Sequence, residues 1–127
     1  MKEYLFYIKN NSDAKKELSP EEHLAFIQKC ELYITDLMNQ ELLIAAQPLV
    51  REGVLLSKSN GPWELTPLRV DQECQVGYYH IRATSIDQAI AIAKKNPEFD
   101  YVPSASIEIH EIKTKETETN FVYPKGI

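Results

Sequence analysis

The sequence predicts an α+β fold, with two helices on one side of a four-stranded antiparallel sheet. Three observations predict it. Gly77 to Ala83 (Gly-Tyr-Tyr-His-Ile-Arg-Ala) reads as a strand that runs directly into a capped helix ending at Asn96-Pro97. Ser19-Pro20-Glu21-Glu22 opens a second, longer helix behind an earlier strand. The element order is then β-α-β, an excursion, and β-α-β, which is the split-βαβ, ferredoxin-like plan.

Each element has a local cause. Tyr4-Leu5-Phe6-Tyr7-Ile8 is a continuous aromatic and aliphatic run, as in a central strand buried on both faces. Asn10 to Lys16 is polar and turn-rich, a loop. Ser19 is the N-cap of the first helix, Pro20 its first residue, and Glu22 completes a capping box. The helix is predicted to run to about Asn39, with Phe26, Ile27, Cys30, Tyr33, Ile34 and Leu37 as its buried stripe. Leu42 to Ala46 is the second strand, ended by Pro48.

Residues 49–74 form the excursion, a candidate lid. Gly53 to Ser57 and Trp63 to Thr66 read as a hairpin around the turn Asn60-Gly61-Pro62. After the 77–83 strand, Ser85 caps the second helix, with Gln88 at the capping-box position. Ile86, Ala89, Ile90 and Ala93 give it an apolar side, and Lys94 and Lys95 suit its C-terminal dipole. Ser106 to Ile112 alternates Ile107 and Ile109 against Glu108 and His110, a fourth core strand. The chain thus divides into a domain over residues 1–112 and a tail over 113–127, whose polar part ends at Phe121-Val122-Tyr123, apolar enough to dock on a neighbouring surface.

Bulk properties narrow the function. The 127 residues carry a net charge of −5, which argues against nucleic acid, because phosphate binding needs clustered Lys and Arg. The wholly apolar run Leu42 to Ala46, which no other run exceeds, is too short to span a membrane. Strand-like sequence begins at Tyr4 with no signal peptide, so a cytoplasmic location with free thiols is expected. Cys30 is expected in the core and Cys74 at the surface. No cofactor is implied.

Right-handed crossovers place both helices on one face of the sheet. The other face carries Tyr78, and a second subunit is its economical cover, giving a homodimer with a pocket between sheets. Alternation puts Tyr78, His80, Arg82, Glu108 and His110 on that open face. They read either as groups flanking a small ligand or as a satisfied network at the dimer interface. His23, at the fourth helical position, reads either as a general base, with an imidazole pKa of about 6.5 kept neutral by the helix N-terminus, or as a filler of the hydrophobic staple begun by Leu18. It lies on the helix-covered side, away from His80 and His110, so a three-histidine metal site is not expected.

Taken in order, Leu18-Ser19-Pro20-Glu21-Glu22, Gly77-Tyr78-Tyr79, Ser85-Ile86-Asp87-Gln88-Ala89, Asn96-Pro97 and Ile107-Glu108-Ile109 resemble the YCII-related family, whose longer members carry an Asp-Gly-Pro-Phe signature. Leu65-Thr66-Pro67-Leu68 stands in the place of that signature. The resemblance runs from Tyr4 to about Ile112. It implies a ferredoxin-like subunit forming a dimeric α+β barrel, and a few relatives are enzymes acting on small ring compounds. Compact members of that family pair a histidine near the start of the first helix with an aspartate before the proline after the second. His23 matches the first, and Asn96 stands at the second; Asp100 is near but not equivalent. Two functions are therefore expected as alternatives: cofactor-independent acid–base catalysis on a small molecule, with His23 as base and Tyr78, His80, Glu108 and His110 orienting, or a non-catalytic small-ligand-binding or interaction module.

Overall fold

The computed structural model describes residues 1–11 and 17–125. Beyond residue 11, the loop expected over Asn10–Lys16 lies outside the described residues. The described residues form a mixed α+β structure with one four-stranded antiparallel sheet and three helices. Strands β1 (Lys2–Asn10), β2 (Leu43–Pro48), β5 (Cys74–Ala83) and β6 (Ser106–Glu111) form the sheet in the order β2-β5-β1-β6. Strands β3 (Val54–Lys58) and β4 (Trp63–Pro67) form a separate two-stranded sheet, pairing only with each other among the described residues.

Helix α1 (Pro20–Asn39) starts as its capping chemistry dictates. The Ser19 hydroxyl accepts from the Glu22 N–H at 3.1 Å, and the Glu22 carboxylate accepts from the Ser19 N–H at 3.1 Å. It ends in a Schellman turn: the Leu42 N–H donates to Leu37 O at 2.9 Å and the Glu41 N–H to Met38 O at 3.0 Å. Glu41 takes the left-handed conformation there, with φ 59°. That turn aims β2 back along the sheet.

Helix α2 (Ile86–Lys94) is capped by the Ser85 hydroxyl, which accepts from the Gln88 N–H at 3.2 Å. The reciprocal half of the expected box is displaced by one residue, since the Gln88 side chain accepts from Thr84 rather than from Ser85. The buried side of α2 is Ala89, Ile92 and Ala93, while Ile86 and Ile90 face outward. After Pro97 a one-turn helix, α3 (Glu98–Tyr101), replaces the simple stop expected at Asn96-Pro97. The Asn96 side-chain oxygen accepts from the Glu98 N–H at 2.9 Å, a local turn that polar sequence alone does not distinguish from a loop.

The core lies between the helices and one sheet face. Tyr4, Phe6, Ile81 and Ala83 are at most 1% exposed and pack with Leu37 of α1 and with Ala89 and Ala93 of α2. Each large side chain so buried contributes roughly 1.5–3 kcal/mol. The Tyr33 hydroxyl donates to Ile92 O at 2.7 Å and ties the two helices together. Cys74, expected at the surface, is buried, and its thiol meets Arg69 O at 3.2 Å. Sequence gave no sign of this because the covering carbonyl comes from the irregular 68–73 segment.

Residues 113–125 are folded. Lys115 and Val122 form an antiparallel bridge, and the Tyr123 hydroxyl donates to Glu116 at 2.7 Å. Phe121, Val122 and Tyr123 remain exposed in the single chain, with Phe121 and Tyr123 packed edge to face on each other.

Candidate functional site

The open sheet face assembles the expected polar group. Register places His80 and His110 opposite Leu5 from its two sides, Tyr78 and Glu108 opposite Tyr7, and Arg82 opposite Glu3. The two histidines do not meet; each has its own carboxylate. His80 Nε2 lies 2.7 Å from Glu3 Oε1, and the pair is largely shielded from solvent. Burial pushes the Glu3 carboxyl up, but hydrogen bonds from Lys125 and His80 outweigh it and hold the group below the usual carboxylate range. On the other side His110 Nε2 lies 2.7 Å from Glu108 Oε1 and packs its ring against Tyr7. Lys9 bridges Glu108 at 3.0 Å and Glu73 at 2.8 Å. Hydrogen bonds from His110 and Lys9 lower the Glu108 carboxyl. Tyr78 is half-buried and Arg82 exposed.

A second site, on the helix side, was not foreseen. Helix α1, strands β1, β2 and β5, and the turn after α2 enclose a cavity of about 250 Å³. Its wall is mainly apolar: Ile8, Phe26, Ile34 and Val76 among others. The closing polar end holds Tyr79, Asn96 and Glu98. Gly77 permits this closure, because a Cβ there would lie 3.1 Å from Gln47 O and push β2 away.

The polar end combines an amide and a phenol with one carboxylate. Asn96 is 3% exposed, and its Nδ2 has no hydrogen-bond partner among the described residues. Burial pushes the Tyr79 phenol well above the usual range, with the Asn96 side chain opposing weakly. Tyr33, edge to face with Tyr79 at 5.6 Å, is raised by burial as well. Both phenols therefore stay protonated at neutral pH and serve as donors rather than bases. Glu98, 5% exposed, accepts from Asn10 Nδ2 at 3.4 Å. Asn10 in turn accepts from Arg51, whose guanidinium also donates to Val70 O and Gln72 O. This chain of bonds links the cavity floor to the base of the β3–β4 hairpin.

His23 is exposed on the first turn of α1, and its backbone N–H donates to Ser19 O. It sits one helical turn before Phe26 and Ile27, which line the cavity, and is not itself part of the lining. Cys30 lines the cavity too. Among the described residues no group of three His, Cys, Asp or Glu side chains could hold a metal ion, and no helix is long and apolar enough to cross a membrane.

Neither the known protein families nor the curated proteins match this chain. The functional argument therefore rests on the two faces of the sheet. The sequence pointed to the open face because its polar residues alternate cleanly with apolar ones. The cavity carried a weaker signal: Asn96, a polar residue just before the proline that ends α2, and Tyr79, the second of two adjacent tyrosines.

Proposed function

We propose that this protein binds a small, largely apolar molecule bearing an oxygen acceptor, in the cavity between α1 and the sheet. One observation carries the reading: an apolar cavity lined by a buried amide donor that makes no full hydrogen bond and only leans on the neighbouring Tyr79 phenol. An unsatisfied buried donor costs about 1–3 kcal/mol, a cost that a ligand carbonyl or ring oxygen would remove. At about 30 Å³ for each water-sized group, the cavity has room for roughly eight such groups, the size of a small ring compound. The raised phenol of Tyr79 adds a second donor, and apolar walls with a few placed polar groups are the usual make-up of ligand pockets.

The strand order and the two packed helices support a ferredoxin-like subunit, and with the sequence resemblance they favour a YCII-type protein. In that reading a second copy covers the open face, where Leu5, Tyr7 and Tyr78 are only half-buried. The polar pairs there then act as an interface network.

A catalytic version has one observation in its favour, the placement of His23 a turn above the cavity lining. For that, a bound molecule would extend from the cavity past Phe26 and Ile27 to the imidazole. Titration of the chain with small cyclic ketones and aromatic aldehydes, followed by amide chemical shifts, tests the binding reading. Shifts at Val76, Tyr79 and Asn96 that are lost in Asn96→Leu support it. Shifts confined to the open face, or binding that Asn96→Leu leaves intact, remove it. Turnover of a bound compound that His23→Ala abolishes without weakening binding selects the enzyme.

A further inference from the structure

The β3–β4 hairpin is the least explained part of the molecule. Its register pairs Leu56 with Leu65, Lys58 with Trp63 and Val54 with Pro67, so one face of the ribbon carries Val54, Leu56, Trp63 and Leu65 together. These side chains are 65%, 57%, 65% and 68% exposed. An isolated two-stranded hairpin is marginal in water, and among the described residues no third strand joins it. At its base an open groove of about 880 Å³ runs beside Val50 and Leu68, both also exposed.

We infer that the hairpin is an arm that lies on a second copy of this chain, apolar face to apolar face, with the tip of each arm over the groove at the base of the other. This goes beyond the ligand reading and does not depend on it. Two features select a second copy as the occupant. The first is area. Four apolar side chains that are each more than half exposed offer on the order of 500 Å² per arm, so two arms face to face about a two-fold axis bury on the order of 1,000 Å², the least that a specific interface needs. The second is charge. The arm from Val54 to Pro67 carries one cation, Lys58, and one anion, Glu64, so two copies approach without net repulsion, although the whole chain is at −5. Lys58 already lies over the Trp63 ring at 4.9 Å, which leaves the rest of the apolar face free of charge.

The chain contains a single tryptophan, Trp63, so its fluorescence reports the arm alone. Light scattering and Trp emission are measured together over a dilution series from about 100 µM to 0.1 µM. The expected result is a mass twice the 14.6 kDa chain, with blue-shifted emission and several-fold weaker acrylamide quenching, reverting on dilution to a monomer with exposed Trp63. Leu65→Glu is expected to leave Trp63 as freely quenched at 100 µM as at 0.1 µM, even where a sheet-face contact keeps two copies together, with an unchanged far-ultraviolet circular dichroism spectrum, since the site is on the surface. Tyr7→Glu separates the arm from the open sheet face. A dimer that Tyr7→Glu dissociates and whose Trp63 quenching Leu65→Glu leaves as in wild type overturns the arm while leaving the sheet-face dimer standing. A wild-type monomer at 100 µM, or a dimer whose Trp63 is quenched as freely as in the monomer, overturns it without recourse to any variant. So does a monomer whose Trp63 emission shifts only when lipid vesicles are added.

Discussion

Strand β1 and the β3–β4 hairpin are written in the same grammar and end in opposite environments. In β1 a continuous apolar run puts Tyr4, Phe6 and Ile8 on the helix side, where they are at most 4% exposed. In the hairpin Val54, Leu55 and Leu56 are again a continuous apolar run, and they and Leu65 are more than half exposed. The difference lies outside the strands. A strand has one apolar face to bury, and burial requires a second layer. β1 receives α1 and α2 from connections that return over the sheet, whereas the hairpin connections are too short to bring a helix back. A short apolar run therefore predicts that a strand forms, and the connections predict whether its own subunit covers it.

The largest expected effect separates the two regions directly. Phe6→Ala should destabilise the chain by about 3–5 kcal/mol, because the site is fully enclosed and leaves a cavity. Leu56→Ala should change it by less than about 0.5 kcal/mol when denaturant unfolding is measured below 1 µM, where copies are apart. A cost above about 2 kcal/mol for Leu56→Ala under those conditions would mean that the arm packs on its own subunit, and the contrast would fail.

The two regions are joined by Arg51. Its guanidinium holds Val70 O and Gln72 O at the arm base and meets Asn10, which is 2% exposed at the end of β1. Arg51→Met should cost about 2 kcal/mol by leaving the Asn10 side-chain oxygen without its donor. Amide hydrogen exchange should accelerate first at the residues of β3 and β4 and only later in β1 and β5. Uniform acceleration across the sheet would show that the arm base is part of the core rather than a separate unit.

How much was legible follows the same division. Ser19-Pro20-Glu21-Glu22 fixes the start of α1 within a few residues of sequence, so its cap is found where the local pattern places it. The open-face register of His80, Glu108 and His110 follows from period-two alternation, which needs only that the strands pair. The partners did not follow: Glu3 reaches His80 across strands, and Lys125 reaches Glu3 from the far end of the chain. Asn96 showed only as a departure from a resemblance. That it is a buried donor in a cavity depends on how α2 and α3 turn over β5, and no local pattern encodes that. Cys74 was misplaced for the same reason.

Glu3 offers a pH-dependent version of the contrast. Its carboxyl is held below the usual range by Lys125 and His80 against the upward pull of burial. A depressed folded pKa contributes stability that is fully present above the unfolded value of about 4.3 and is lost as pH falls through the folded value. Glu3→Gln should therefore cost on the order of 1 kcal/mol at pH 7, with the gap from wild type closing as the acid limb of a stability–pH curve is descended. Glu64→Gln, on the exposed arm, should follow the wild-type curve within about 0.3 kcal/mol at every pH. Parallel curves for wild type and Glu3→Gln below pH 5 would contradict the assignment.

The smallest expected effect has the opposite sign. Two non-glycine residues take the left-handed conformation at turns that serve these regions: Glu41, φ 59°, between α1 and β2, and Asn60, φ 53°, at the arm tip. Glutamate is strained there, because its Cβ crowds the following carbonyl, and the Schellman turn holds it in place only through the packing of Leu37 and Leu42. Asparagine tolerates that region through its short polar side chain. Glu41→Gly should thus stabilise the chain by about 0.5–1 kcal/mol, the relief of strain exceeding the extra freedom glycine gives the unfolded state. Asn60→Gly should leave stability within about 0.3 kcal/mol, since there is little strain to relieve and the arm stands apart from the core. Thermal unfolding of the two variants beside wild type distinguishes them. Equal shifts would show that the two turns are under the same load, and the arm would then be as firmly held by its own subunit as β2 is.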